Sequence, residues 1–191
     1  MKPSPLLLLA SLAWASCGFA QQSPPQPQSA QAWQQSQNSD AARTYTYQRF
    51  TLVGKFLTPP HDPAANRPAL AVDCIPGSSS HHPKGKFLAA NLLVGSGLKI
   101  VYVEPEEVRG TSYYPKVAVR YNADGTKDKQ DKWSVGADKI SAAIPKDALK
   151  EFLRAHRVAI NLDDDQGSQV AMQFDLPDAT LVAHSCNVNG H

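Results

Sequence analysis

The chain has 191 residues, of which 42% are hydrophobic, enough for one folded core and too short for several. Its 19 Lys and Arg nearly balance 17 Asp and Glu, leaving a formal charge of +2, and the two signs are interspersed. That pattern excludes a partner held by a basic stripe, so nucleic acid is not expected.

Residues 1–20 read as a signal peptide. Lys2 precedes an apolar run, Leu6 to Trp14, too short to cross a bilayer as a helix. Gly18 and Ala20 then supply the small residues that favour cleavage after Ala20. The expected destination is the periplasm or the medium. Cys17 offers a second reading, as the lipidated first residue of a lipoprotein. Trp14-Ala15-Ser16 places a bulky aromatic where such signals carry Leu, and cleavage near Ala20 is preferred. No later run reaches the length of about eighteen apolar residues that a spanning helix needs, so no transmembrane segment is expected in the mature chain.

Export removes Cys17 and leaves Cys74 and Cys186. An even pair in an oxidising compartment reads as one disulfide, closing a loop of about 110 residues and tying the ends of the folded region together. Residues 21–43 are rich in Gln, Ser, Pro and Ala and nearly devoid of aliphatic side chains, the composition of a disordered linker. Trp33 is its one large apolar residue and reads as incidental.

Residues 44–189 read as a single β-rich domain. Thr44 to Val53 is rich in β-branched and aromatic residues, and Ala69 to Ile75 is an apolar run stopped by Pro76-Gly77. Lys86 to Val94 and Leu98 to Glu104 flank Gly95-Ser96-Gly97 and predict a hairpin. Lys116 to Tyr121 alternates, with Val117, Val119 and Tyr121 on one face, and meets a turn in which Gly125 takes positive φ. Lys127 to Lys132 is charged and solvated, and apolar alternation resumes at Trp133. Pro145 starts a short helix near 145–156, with Leu149, Phe152, Leu153 and His156 at helical spacing. Val158 to Leu162 and Gln169 to Leu176 bracket Asp163 to Ser168 as a last hairpin. The prediction is a mainly β fold, a β-sandwich or open barrel of about seven strands with one helix.

The segments VAVRYNADG, KW, PKDALKEFLRAH and VAINLDDDQGSQVAMQFDLPDATLVAHSC carry a resemblance. Their order resembles the C-terminal half of small periplasmic VasI-like proteins associated with type VI secretion. Trp133, Phe174-Asp175-Leu176 and the late Cys186 are the matching positions, whereas Pro177-Asp178 stands where that pattern has Gly. The resemblance implies a β-sandwich and an exported accessory or binding module with no known active site.

No G-x-S-x-G elbow, H-E-x-x-H helix or Walker-type loop occurs in the sequence. The best metal candidate is His81-His82 with His61, Asp62 and Asp73, but adjacent histidines seldom share one ion, and no metal or other cofactor is expected. Ser78 to Ser80 read as a solvated loop rather than nucleophiles. Asp163-Asp164-Asp165 lacks calcium-loop spacing and reads as an acidic hairpin tip. Tyr113 and Tyr114 sit in a loop of mixed charge, a composition that protein-recognition surfaces favour, and are the candidate partner-binding residues. The expected function is a non-enzymatic binding or accessory module of the bacterial cell envelope, with an envelope or secreted protein as partner. The alternative is an exported hydrolase or metal-dependent enzyme with a site assembled from dispersed residues.

Overall fold

A computed structural model describes residues 32–39, 46–58, 66–76, 85–95, 98–100 and 115–188. Ten strands form one antiparallel sheet: β1 (Gln34–Ser39), β2 (Thr46–Val53), β3 (Lys55–Phe56), β4 (Ala69–Ile75), β5 (Lys86–Leu93), β6 (Lys116–Ala123), β7 (Lys129–Val135), β8 (Ser141–Ala143), β9 (Arg157–Asp163) and β10 (Gln169–Asp175). Two helices accompany them, α1 (Lys146–Phe152) and α2 (Thr180–Ser185). The spatial order is β1-β2-β4-β5-β8-β7-β6-β9-β10-β3, and the sheet curls into a half-barrel. The expectation of a mainly β fold holds. The strand count of about seven does not, and of the two expected architectures the single curled sheet stands nearer the open barrel than the sandwich.

Alternation is the reason the central strands form. Val117, Val119 and Tyr121 of β6 are buried, while Lys116, Ala118 and Arg120 are exposed. The same period puts Val158, Ile160 and Leu162 of β9, and Val170, Met172 and Phe174 of β10, into the core. β4 is buried at every position, as befits a strand flanked by β2 and β5. Within the core, Tyr121 meets Phe152 edge-on at 5.3 Å between ring centroids and Trp133 at 5.8 Å. The Trp133 indole donates from Nε1 to Asp131 Oδ2 at 3.3 Å, which satisfies its one polar atom.

The hairpin expected across Gly95-Ser96-Gly97 is corrected. The end of β5 from which that hairpin would start is already paired on both sides, since Asn91, Leu92 and Leu93 face β4 on one and β8 on the other, while residues 96–97 and 101–104 lie outside the described residues. The Ile100 N–H donates instead to Lys139 O at 2.8 Å, and Ile100 bridges to Asp164. The turn at 124–125 behaves as expected and goes further. Asp124 and Gly125 have φ of 50° and 71°, the paired positive values of a primed hairpin turn. Asp124 Oδ1 also accepts from the backbone N–H of His156 and Arg157, at 2.9 and 2.8 Å, and so stitches the β6–β7 turn to the start of β9.

The helix predicted near 145–156 ends at Phe152, with Leu153 as its C-cap. Ala148, Leu149 and Phe152 are buried, whereas His156 lies beyond the helix and is exposed. The second helix, α2, was not foreseen. Asp178 starts it by accepting the Thr180 N–H at 2.9 Å, and Val182 anchors it in the core.

Part of the stretch read as a disordered linker is a strand. Gln34 to Ser39 pair along their whole length with β2, and Trp33 packs against the core rather than being incidental. Residues 21–31 lie outside the described residues.

β2 and β3 are separated only by Gly54, yet β2 pairs with β4 and β3 pairs with β10. The chain thus bends at Gly54 from one end of the sheet to the other. The Gly54 N–H donates to Pro68 O at 2.7 Å and its carbonyl accepts from Arg67 Nε at 3.0 Å. A Cβ at this position would stand 2.5 Å from Phe174 Cε1 and 2.8 Å from Gln173 O. Glycine is what lets the two ends of the sheet approach.

Arg157 lowers the pKa of the Asp175 carboxylate by hydrogen bonding at 2.9 Å, with Gln173 and Lys55 adding to the effect. Thr180 does the same for Asp178 through its hydroxyl and N–H. A carboxylate whose folded pKa is depressed contributes stability above its unfolded value, here 3.8, and loses that contribution as pH falls through the folded value. Urea midpoints are therefore expected to be flat with respect to these groups from pH 7 to about pH 5 and to fall below about pH 4. The fall should be shallower in Asp175→Asn. An acid-dependent loss unchanged by that substitution would remove Asp175 from the account.

Candidate functional site

Cys74 and Cys186 are brought together as expected. Cys74 on β4 and Cys186, the C-cap of α2, are both fully buried, and their sulfurs form a disulfide across 112 residues of sequence. It fastens α2 to β4, an interior strand of the sheet, where Cys74 lies between Gln48 of β2 and Phe87 of β5.

Asp73, the described member of the candidate metal set, is committed elsewhere. Its two carboxylate oxygens accept from Arg49 Nε at 2.7 Å and Nη2 at 2.8 Å, a bidentate cross-strand pair. This bond, opposed by burial, raises the Arg49 pKa above its ordinary value. Asp73 is 8% exposed, so its charge is satisfied by Arg49 where it is buried. His61, Asp62, His81 and His82 lie outside the described residues, as do Ser78 to Ser80. Among the described residues, no group of three His, Cys, Asp or Glu side chains is placed to hold a metal ion. Tyr113 and Tyr114, the candidate partner-binding pair, also lie outside the described residues.

The acidic segment divides into different roles. Asp163 and Asp165 are exposed, but Asp164 is only 3% exposed. Asp164 Oδ1 accepts from the N–H of Gln166 and Ser168, at 3.0 and 2.7 Å, and so organises the β9–β10 turn. Asp164 is thus a buried turn-former within the acidic hairpin tip.

A groove of about 370 Å³ lies on the outer face of β6, β7, β9 and the start of β10. Its position follows from register. Ala118 stands opposite Lys132, Arg120 stands between Gln130 and Asn161, and Asp163 stands opposite Gln169. All seven project from the outer face because their neighbours Val117, Val119, Trp133 and Leu162 point inward. Alanine at 118 is short, and the longer side chains around it leave a recess. Among the described residues, the side chains of Arg120, Gln130, Lys132, Asn161 and Asp163 have no hydrogen-bond or ion-pair partner. The groove is therefore lined by two cations, by the carboxylates of Asp163 and of Asp131, the latter already accepting from Trp133 Nε1, and by amides that both donate and accept. Such a set can donate and accept hydrogen bonds and can meet charge of either sign.

No family model, curated protein or solved structure matches the chain. No described helix is long and apolar enough to cross a membrane.

Proposed function

We propose that the chain is an exported, non-enzymatic binding or accessory module of the bacterial cell envelope, with the groove around Ala118 as its recognition surface and an envelope or secreted protein as its partner. The observation that carries this reading is the set of unpaired polar side chains at the groove, held on rigid strands. A folded chain that leaves Arg120, Lys132 and Asp163 close together without pairing them keeps that capacity for a ligand. The buried Cys74–Cys186 disulfide supports the export half, since such bonds persist in oxidising compartments. The resemblance of residues 117–186 to periplasmic VasI-like proteins supports the accessory role.

Ala118→Trp fills the recess from an exposed position and leaves the core face untouched. Affinity capture from the cell envelope should retain a discrete protein on the mature wild-type chain, and the A118W chain should retain at least tenfold less at an unchanged melting temperature. Equal retention by both chains would contradict the groove. Hydrolytic turnover with nothing retained would favour the enzyme alternative.

A further inference from the structure

β1 is held to the sheet unlike its neighbours. Its six residues, all polar, are exposed or half-buried, so they add little apolar burial. Register is complete, from Gln34 opposite Thr51 to Ser39 opposite Thr46, and the attachment is therefore mainly through the backbone. Its apolar anchor is Trp33, half-buried against the core immediately before the strand.

That anchor fits imperfectly. Trp33 Nε1 is buried with no hydrogen-bond acceptor, and an orphaned donor offsets part of what burying the ring contributes. A phenyl ring would occupy the same apolar recess without that cost. The strand partner is also defined by charge. Arg49, directly opposite Ser36, is already neutralised by Asp73, so this edge asks for an uncharged strand.

We propose that the outer edge of β2, with the recess now holding Trp33, is an acceptor site for an extended peptide segment of another protein, and that β1 occupies it in cis as a competing strand. The matching segment has Phe at the anchor followed by about six uncharged polar residues, the length that β1 itself pairs. Backbone pairing supplies the affinity, and the anchor supplies the choice. Occupation by β1 lowers the apparent affinity of any competitor by the fraction of molecules in which the edge is open. The site is separate from the groove on β6, β7 and β9, so its failure leaves the proposed function standing.

The test uses the mature, disulfide-bonded protein and fluorescein-labelled peptides followed by anisotropy. One peptide has the native sequence Ala32–Ser39, and two others carry Phe or Ala in place of its Trp. The Phe peptide should bind at least as tightly as the native one, and the Ala peptide at least tenfold more weakly. Trp33→Ala, which frees the edge, should tighten binding of the native and Phe peptides at least tenfold. A cross-strand clamp, Gln37→Cys with Gln48→Cys, should abolish binding once oxidised, and this reads the same site if W33A proves unstable. Unchanged affinity in W33A with native circular dichroism, or full binding to the clamped protein, would overturn the proposal. Concentration-dependent dimers that exchange β1 and take up no peptide would also overturn it, by making a second copy the occupant.

Discussion

Cys74→Ala combined with Cys186→Ala is expected to lower the free energy of unfolding by about 4–5 kcal/mol, because the bond closes a loop of 112 residues in the denatured chain. For a domain of this size that corresponds to a fall of roughly 10–20 °C in melting temperature. Both positions are fully buried, so alanine leaves no polar group stranded, and the loss reads the cross-link together with a small packing term. The loss should be greatest at the C-terminal end. α2 has six residues and depends on tertiary contact, chiefly Val182 and the Cys186 attachment to β4. Hydrogen exchange should show residues 180–188 losing protection before β6 and β9 do. A double variant that melts within about 3 °C of wild type would mean that the bond contributes little and that packing alone holds α2.

Gly54→Ala is expected to cost about 2–3 kcal/mol, the upper part of the roughly 1–3 kcal/mol typical of forcing an extra methyl group into a packed site. The added carbon would overlap the ring of Phe174, itself fully buried, and the backbone oxygen of Gln173, so neither neighbour yields easily. Gly125→Ala is the informative comparison. Its φ is 71° but nothing lies within 4 Å of its would-be Cβ, so only backbone strain of about 1 kcal/mol applies. G54A should therefore be the more damaging, and its exchange protection should fall first along the β3–β10 pairing. If G125A proves equally or more harmful, the close approach of β2–β3 to β10 is not what joins the ends of the sheet.

The parts of the fold legible in the sequence are those with a repeating apolar signal. β6, β9 and β10 could be read from period-two alternation over seven or eight residues, and β4 from an apolar run interrupted only by Asp73. The disulfide followed from cysteine parity once residues 1–20 were read as a signal peptide that carries Cys17 away. What escaped was short, or apolar on neither face. β3 and β8 have two and three residues, too few for any period to show. β1 is polar on both faces, and main-chain bonds leave no mark in composition. α2 is a six-residue helix just after Pro177-Asp178, where a loop is the natural reading.

The groove was illegible for a different reason. Ala118, Lys132 and Asp163 are ordinary surface residues in sequence, and only the pairing of β7 with β6 and of β6 with β9 brings their strands side by side. Exposed alternate positions on three strands were the available signal, but register was needed to combine them. Asp73 shows the converse. It looked available as a ligand until the β2–β4 register placed Arg49 across from it.

The most direct test of the groove as the recognition surface is photo-crosslinking in intact cells. A photoreactive amino acid placed at Ala118 should give one discrete adduct with an envelope or secreted protein. The same residue at Arg154, exposed just beyond α1, should give none. No adduct from position 118, or the same adduct from both positions, would contradict the account.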